Sequence, residues 1–175
     1  MEVQTQQTAR EVMTVDHRTG EVTARPASMV DVAQSRVAQE VQAMMIIARR
    51  FPRDQEAAYA RIMESCKRRS LAEQAVYAYP RGGQTVTGPS IRLSECLAQN
   101  WGNLDFGITE VEQRPGESVM MSYAWDLETN VRQTKIFTVP HLRHTKKGSY
   151  RLSDPRDIYE MTANQGARRL RACIL

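Results

Sequence analysis

The first sustained apolar pattern begins at Ser28: Val37, Val41, Met44, Met45 and Ala48 recur at helical spacing and predict a buried stripe that Phe51-Pro52 ends. A second helix is predicted after Asp54, with Tyr59, Ile62, Met63 and Cys66 on its inner face and Lys67-Arg68-Arg69 at its C-terminus. The period then changes. Ala75 to Arg81 reads as a strand, Gly82-Gly83 as a turn wanting positive φ, and Thr85 to Thr87 as the returning strand. Ser90 is a helix N-cap for a segment running to about Asn100 with Ile91, Leu93, Cys96 and Leu97 as its apolar positions. Three strand-like runs follow, Asp105 to Gln113, Ser118 to Glu128 and Arg132 to Leu142, separated by Arg114-Pro115-Gly116 and Glu128-Thr129-Asn130. Asp154 and Pro155 are an N-cap and N1 pair for a last helix. On it Tyr159, Ala163, Ala167, Leu170 and Ile174 share a predicted inner face, and Asn164, Gln165, Arg168, Arg169 and Arg171 the outer one.

Strands grouped rather than alternating with helices make this an α+β chain: an antiparallel β-hairpin plus a three-stranded meander packed with helices, in the order α-α-β-β-α-β-β-β-α. Residues 1–27 are rich in Gln, Thr, Val and Glu and are expected to form a mobile arm, with a hairpin around Asp16-His17-Arg18-Thr19-Gly20, ahead of one core domain over 28–175.

Charge changes the picture. Residues 141–175 hold eight Lys or Arg against three Asp or Glu, a net +5, so the remaining 140 residues are close to neutral although the whole chain is +4. That asymmetry favours a polyanionic partner. Arg168, Arg169 and Arg171 on a rigid helix suit phosphate, because a guanidinium donates two charge-assisted hydrogen bonds at once. Arg143, Lys146, Lys147 and Arg151 fall in a loop just before that helix, and loop and helix are expected to wall one groove. Arg68, Arg69, Arg81 and Arg92 form a second tier; the triplet at Lys67 either complements the helix dipole or extends the phosphate surface. Among Tyr77, Tyr79, Tyr123, Trp125 and Tyr150, one or two are expected to face a ligand, where a ring stacks on a base for about 1–3 kcal/mol.

Catalytic patterns fail on inspection. Gly83-x-x-x-x-Gly88-Pro89-Ser90 resembles a phosphate-binding loop with proline in place of its lysine, which leaves either helix N-terminal amides for a phosphate or a plain hairpin and helix start. His141-x-x-His144 lacks further ligands and reads as part of the cationic surface. Asp126, Glu128 and Lys135 have the residue types of a metal-dependent nuclease at poor spacing. The cysteines, Cys66, Cys96 and Cys173, are odd in number, lie in apolar patterns and read as buried reduced thiols, in keeping with cytoplasm. No apolar run is long enough to span a membrane. No cofactor, metal or catalytic residue is expected.

Two stretches, Ala75-Val76-Tyr77-Ala78-Tyr79-Pro80 and Gln165-Gly166-Ala167-Arg168-Arg169-Leu170-Arg171, resemble the RecT/Redβ family of phage single-strand annealing proteins, over about residues 35–175. The match departs at Gly88-Pro89-Ser90-Ile91-Arg92, where only Arg92 has a counterpart. The resemblance implies ATP-independent binding and annealing of single-stranded DNA in phage recombination, no catalysis, and assembly of protomers into rings or helical filaments. It also implies a C-terminally truncated core, with docking of a phage exonuclease or a host single-strand-binding protein left to a region missing here. Two rivals stand beside it: a metal-dependent nuclease, and a non-catalytic assembly module whose basic face meets an acidic protein.

Overall fold

The computed structural model describes residues 11–16, 18–26, 28–145 and 148–175, and the chain divides into two compact units, Met1–Ile47 and Ala48–Leu175.

In the first unit, β1 (Glu11–Val15) pairs antiparallel with β2 (Val22–Pro26), Glu11 opposite Pro26 and Val15 opposite Val22. The Asp16 carboxylate accepts the Arg18 and Thr19 amides at 2.8 and 3.3 Å, closing the turn where the sequence places a hairpin. Helix α1 (Met29–Arg50) starts on a reciprocal cap: the Asp31 amide donates to Ser28 Oγ at 3.2 Å, and the Ser28 amide donates to Asp31 Oδ2 at 2.8 Å. The predicted buried stripe is corrected here. Val37 is 60% exposed, Val41, Met44 and Met45 are half-buried, and of the five only Ala48 is buried. A helical period sets which residues share a face, not whether anything covers it.

The second unit takes in the last turn of α1 and continues with α2 (Gln55–Cys66), whose N-cap Asp54 accepts the Ala57 amide at 3.0 Å, and the short α3 (Arg69–Ala72). Ala58 is its buried contact, with Ile62, Ser65 and Cys66 half-buried, whereas Tyr59 and Met63 face outward, against expectation. The hairpin of β3 (Val76–Arg81) and β4 (Gln84–Pro89) turns on Gly82 and Gly83, both at positive φ (59° and 79°), as its tight two-residue turn requires. Helix α4 (Ile91–Trp101) is capped by Ser90, whose hydroxyl accepts the Leu93 amide at 3.2 Å. Next come β5 (Leu104–Arg114), β6 (Glu117–Asp126) and β7 (Arg132–Pro140), an antiparallel sheet in the order β5-β6-β7. The segment predicted as a loop instead contains a further hairpin, β8 (Leu142–Thr145) paired antiparallel with β9 (Gly148–Arg151), Leu142 opposite Arg151 and Arg143 opposite Tyr150. Helix α5 (Pro155–Ile174) closes the chain, its cap Asp154 accepting the Arg156 and Asp157 amides at 2.8 and 3.3 Å.

The core lies between α5 and the sheet. Alternate residues of β6, Ser118, Met120, Ser122 and Ala124, are buried. Opposite them α5 buries Thr162, Gly166, Leu170 and Cys173. Small side chains allow close approach: Ser122 Oγ donates to the Gly166 carbonyl at 3.0 Å, and a Cβ on Gly166 would lie 2.6 Å from Ile108 Cγ2. The inner face of α5 is therefore rotated from the one the apolar residues predict, leaving Tyr159 71% exposed and Ala163, Ala167 and Ile174 half-buried. His141 is also corrected. It is 5% exposed, its Nε2 is 2.7 Å from the buried Ser118 hydroxyl, and it belongs to the core rather than to a cationic surface. Cys96 and Cys173 are buried free thiols and Cys66 is half-buried. Among the described residues, no helix is long and apolar enough to cross a membrane.

Candidate nucleic-acid interface

Strand periodicity sends Tyr77, Tyr79 and Arg81 to one face of β3. Helical periodicity puts Asn164, Ala167, Arg168 and Arg171 in one stripe of α5, at i, i+3, i+4 and i+7. The two sets face each other across a cleft of about 500 Å³ whose remaining lining, Ser90 and Ile91, comes from the start of α4.

Its aromatic wall is built in layers. Tyr77 stands opposite Gly88 on β4, where a Cβ would lie 2.6 Å from the Tyr77 hydroxyl oxygen, so the ring lies flat on the glycine. Tyr79 stacks beside it, ring centroids 5.9 Å apart and planes 23° from parallel. The Arg171 guanidinium covers the Tyr77 ring at 4.4 Å and donates to the Pro89 carbonyl at 3.3 Å, tying the end of α5 to the hairpin. The side chains of Arg81 and Arg168 make no hydrogen bond or ion pair with any described residue, their backbones being engaged in β3 and α5. Two uncommitted guanidiniums, one anchored guanidinium and a stacked tyrosine pair thus share one concavity.

The other residues singled out from the sequence lie elsewhere. Arg169 is turned about 200° around the helix from Arg171; it packs over Phe137 of β7 at 4.4 Å and donates to Gln165 Oε1 at 2.6 Å. Arg143 faces Asp157 at 3.6 Å in the first turn of α5, eleven residues and about 16 Å along the axis from Arg168. Arg151 lines a separate hollow with Pro115, His141 and Leu152. Lys146 and Lys147 lie outside the described residues. Neither Arg143 nor Arg151 lines the cleft that holds Arg168 and Arg171, whose other wall is hairpin β3-β4. Arg68 donates to the Ser65 carbonyl at 3.3 Å, Arg69 pairs with Glu73 at 2.7 Å, and Arg92 is exposed on α4; none of them lines the cleft. Tyr123 and Trp125 are both covered by Arg132, at 4.9 and 5.4 Å.

The glycine-rich run spends its residues on shape. Gly83 turns the hairpin, Gly88 accommodates Tyr77, and Ser90 caps α4. The acidic pair is engaged by Arg53, whose side chain is 7% exposed: Nη2 donates to Asp126 at 2.7 Å, Nε to Glu128 at 3.0 Å, and Asn103 Nδ2 reaches the same Glu128 oxygen at 2.6 Å. Burial alone would raise both carboxyls. The hydrogen bonds outweigh it and hold each below its ordinary value, Asp126 through Arg53 and the Thr129 and Glu128 amides, Glu128 through Asn103 and Arg53. Lys135 stands opposite Ser122, four residues and about 13 Å along the strand from Asp126. No group of three or more His, Cys, Asp or Glu among the described residues is placed to hold a metal ion.

The sequence places Asn164 on the arginine face, Ser90 at a helix cap and Ile91 among apolar positions, but does not mark them as site residues, although the i, i+3, i+4, i+7 spacing through Arg168 and Arg171 carries the signal for Asn164. Compared with known protein families, curated proteins and solved structures, the chain shows no match.

Proposed function

We propose that the protein binds single-stranded DNA and anneals complementary strands without ATP, in phage homologous recombination within the host cytoplasm. The observation that carries the reading is the convergence of Arg81, Arg168 and Arg171 with the stacked Tyr77 and Tyr79 in one cleft. The sequence resemblance described above rests on the same two stretches. Guanidiniums neutralise phosphates and release their counterions, which gives binding that ignores sequence and weakens with salt. Base pairing supplies the driving force for annealing, so the protein needs only to hold strands extended and accessible. Assembly into rings or helical filaments would repeat one short cleft along a long strand; partner proteins such as an exonuclease or a single-strand-binding protein belong to the same proposal.

The test is a salt titration of fluorescent oligonucleotide binding, together with annealing of two complementary strands. Three phosphate contacts per protomer give a slope of log K against log salt of about −2 per protomer for single strands. Replacing Arg81 and Arg168 together by alanine should flatten that slope to about −0.7 and abolish annealing. Wild-type affinity, slope and annealing rate in the double variant would remove the cleft from the function.

A further inference from the structure

We infer that the exposed ring of Tyr79 is a stacking site for one unpaired nucleobase, so that the cleft reads the single-stranded state itself rather than charge alone. The inference rests on the single-strand reading above and deepens it. Tyr77 is held on three sides, by the Arg171 guanidinium at 4.4 Å, by Gly88 beneath it and by Tyr79 beside it. Tyr79 is therefore the open end of an ordered stack. Tyr79 is 43% exposed as a residue and lines the cleft together with Arg81 and Arg168. A ring already fixed against its neighbour loses little freedom when a base stacks on it. Arg81 and Arg168, in the same cleft, would be available to the phosphates flanking that base. Tyr123 and Trp125 offer no comparable platform, because Arg132 already covers both.

The geometry also suits annealing. Stacking engages the face of a base and leaves its pairing edge free for a second strand. A base inside a duplex has both faces occupied by its neighbours, and it reaches Tyr79 only after unstacking and unpairing.

The experiment compares an intact oligonucleotide with an abasic one of equal length, which keeps the sugar-phosphate chain and lacks bases. Both are titrated against the wild-type protein, Tyr79→Phe and Tyr79→Leu, with thermal melting to establish that each variant folds. Tyr79→Leu should weaken binding of the intact strand by about 5- to 150-fold and leave its salt slope unchanged. Tyr79→Phe keeps the ring and should bind as the wild type does. The abasic strand should bind the wild type weakly and be indifferent to Tyr79→Leu. Equal wild-type affinity for the two strands would overturn the stacking site while leaving single-strand binding intact. Failure of the wild type to bind either strand at low salt would overturn the functional reading along with it.

Discussion

Arginines close together in sequence have different work here, and their substitutions should separate cleanly. Arg168 touches no described partner, so Arg168→Ala should change stability by less than about 0.5 kcal/mol while lowering the magnitude of the single-strand salt slope by about 0.7. Arg171 lies on Tyr77 and on the Pro89 carbonyl. Arg171→Ala should therefore lose the same slope and also about 1 kcal/mol of stability. Arg169 packs on Phe137 on another side of the helix, so Arg169→Ala should cost stability and leave the slope untouched. Urea melts and salt-titrated binding on the three variants check this. A slope change in Arg169→Ala equal to that in Arg168→Ala would mean that phosphate is held by the whole helix end rather than by the cleft.

At the level of elements, helix α5 is seated by its contacts with small residues. Gly166→Ala gains helix propensity of up to about 1 kcal/mol, but its methyl would meet the Cγ2 methyl of Ile108. Overpacking of about 1–3 kcal/mol outweighs the gain, and the melting temperature should fall; Ile108→Ala should cost less stability in the Gly166→Ala background than in the wild type, a coupling that a purely local effect on the helix would not produce. The same seat explains what the sequence hid. Helix starts at Asp54, Ser90 and Asp154, the Gly82-Gly83 turn and the three-stranded meander were legible because caps, turns and periods are local signals. The rotation of α5 onto Thr162, Gly166, Leu170 and Cys173 was not, since Thr and Gly carry no apolar signal and their value lies in the partner they approach. The Arg53 clamp was hidden for a related reason: it joins residues more than seventy positions apart. It carries its own prediction. Asp126 and Glu128 sit below their ordinary values of 3.8 and 4.5, so their contribution is fully present above that range and is lost as pH falls through the folded values. Arg53→Met should cost stability at pH 7 toward the low end of the roughly 3–5 kcal/mol for breaking a buried pair, because both carboxylates remain partly exposed. The gap to wild type should narrow as pH is lowered below about 4.5, read as converging urea midpoints.

For the whole molecule, charge totals indicated where the basic excess lay but not how it is divided. Residues 141–175 carry +5, yet Arg143 is set against Asp157, Arg151 lies in another hollow and Arg169 turns to the sheet, so that among the described cations of this segment Arg168 and Arg171 reach the cleft. Arg81, from a hairpin nearly ninety residues earlier, completes the set. Part of the site was therefore legible, Tyr77 and Tyr79 as candidate stacking rings, Arg81 in a second tier of cations and Arg168 and Arg171 on one helix face, while their meeting depended on the fold. The acidic pair gives the sharpest discrimination between annealing and strand cleavage. If Asp126 and Glu128 serve as one half of a clamp, Asp126→Asn should lower the unfolding midpoint, leave labelled DNA uncut in Mg²⁺ or Mn²⁺ just as wild type does, and anneal at the wild-type rate well below its melting temperature. If they serve a metal-dependent nuclease, wild type cuts the labelled strand and Asp126→Asn does not. Gel analysis of one end-labelled oligonucleotide, with and without its complement, reads both reactions at once: cut strand would displace the annealing proposal, whereas intact strand shifted into duplex would support it.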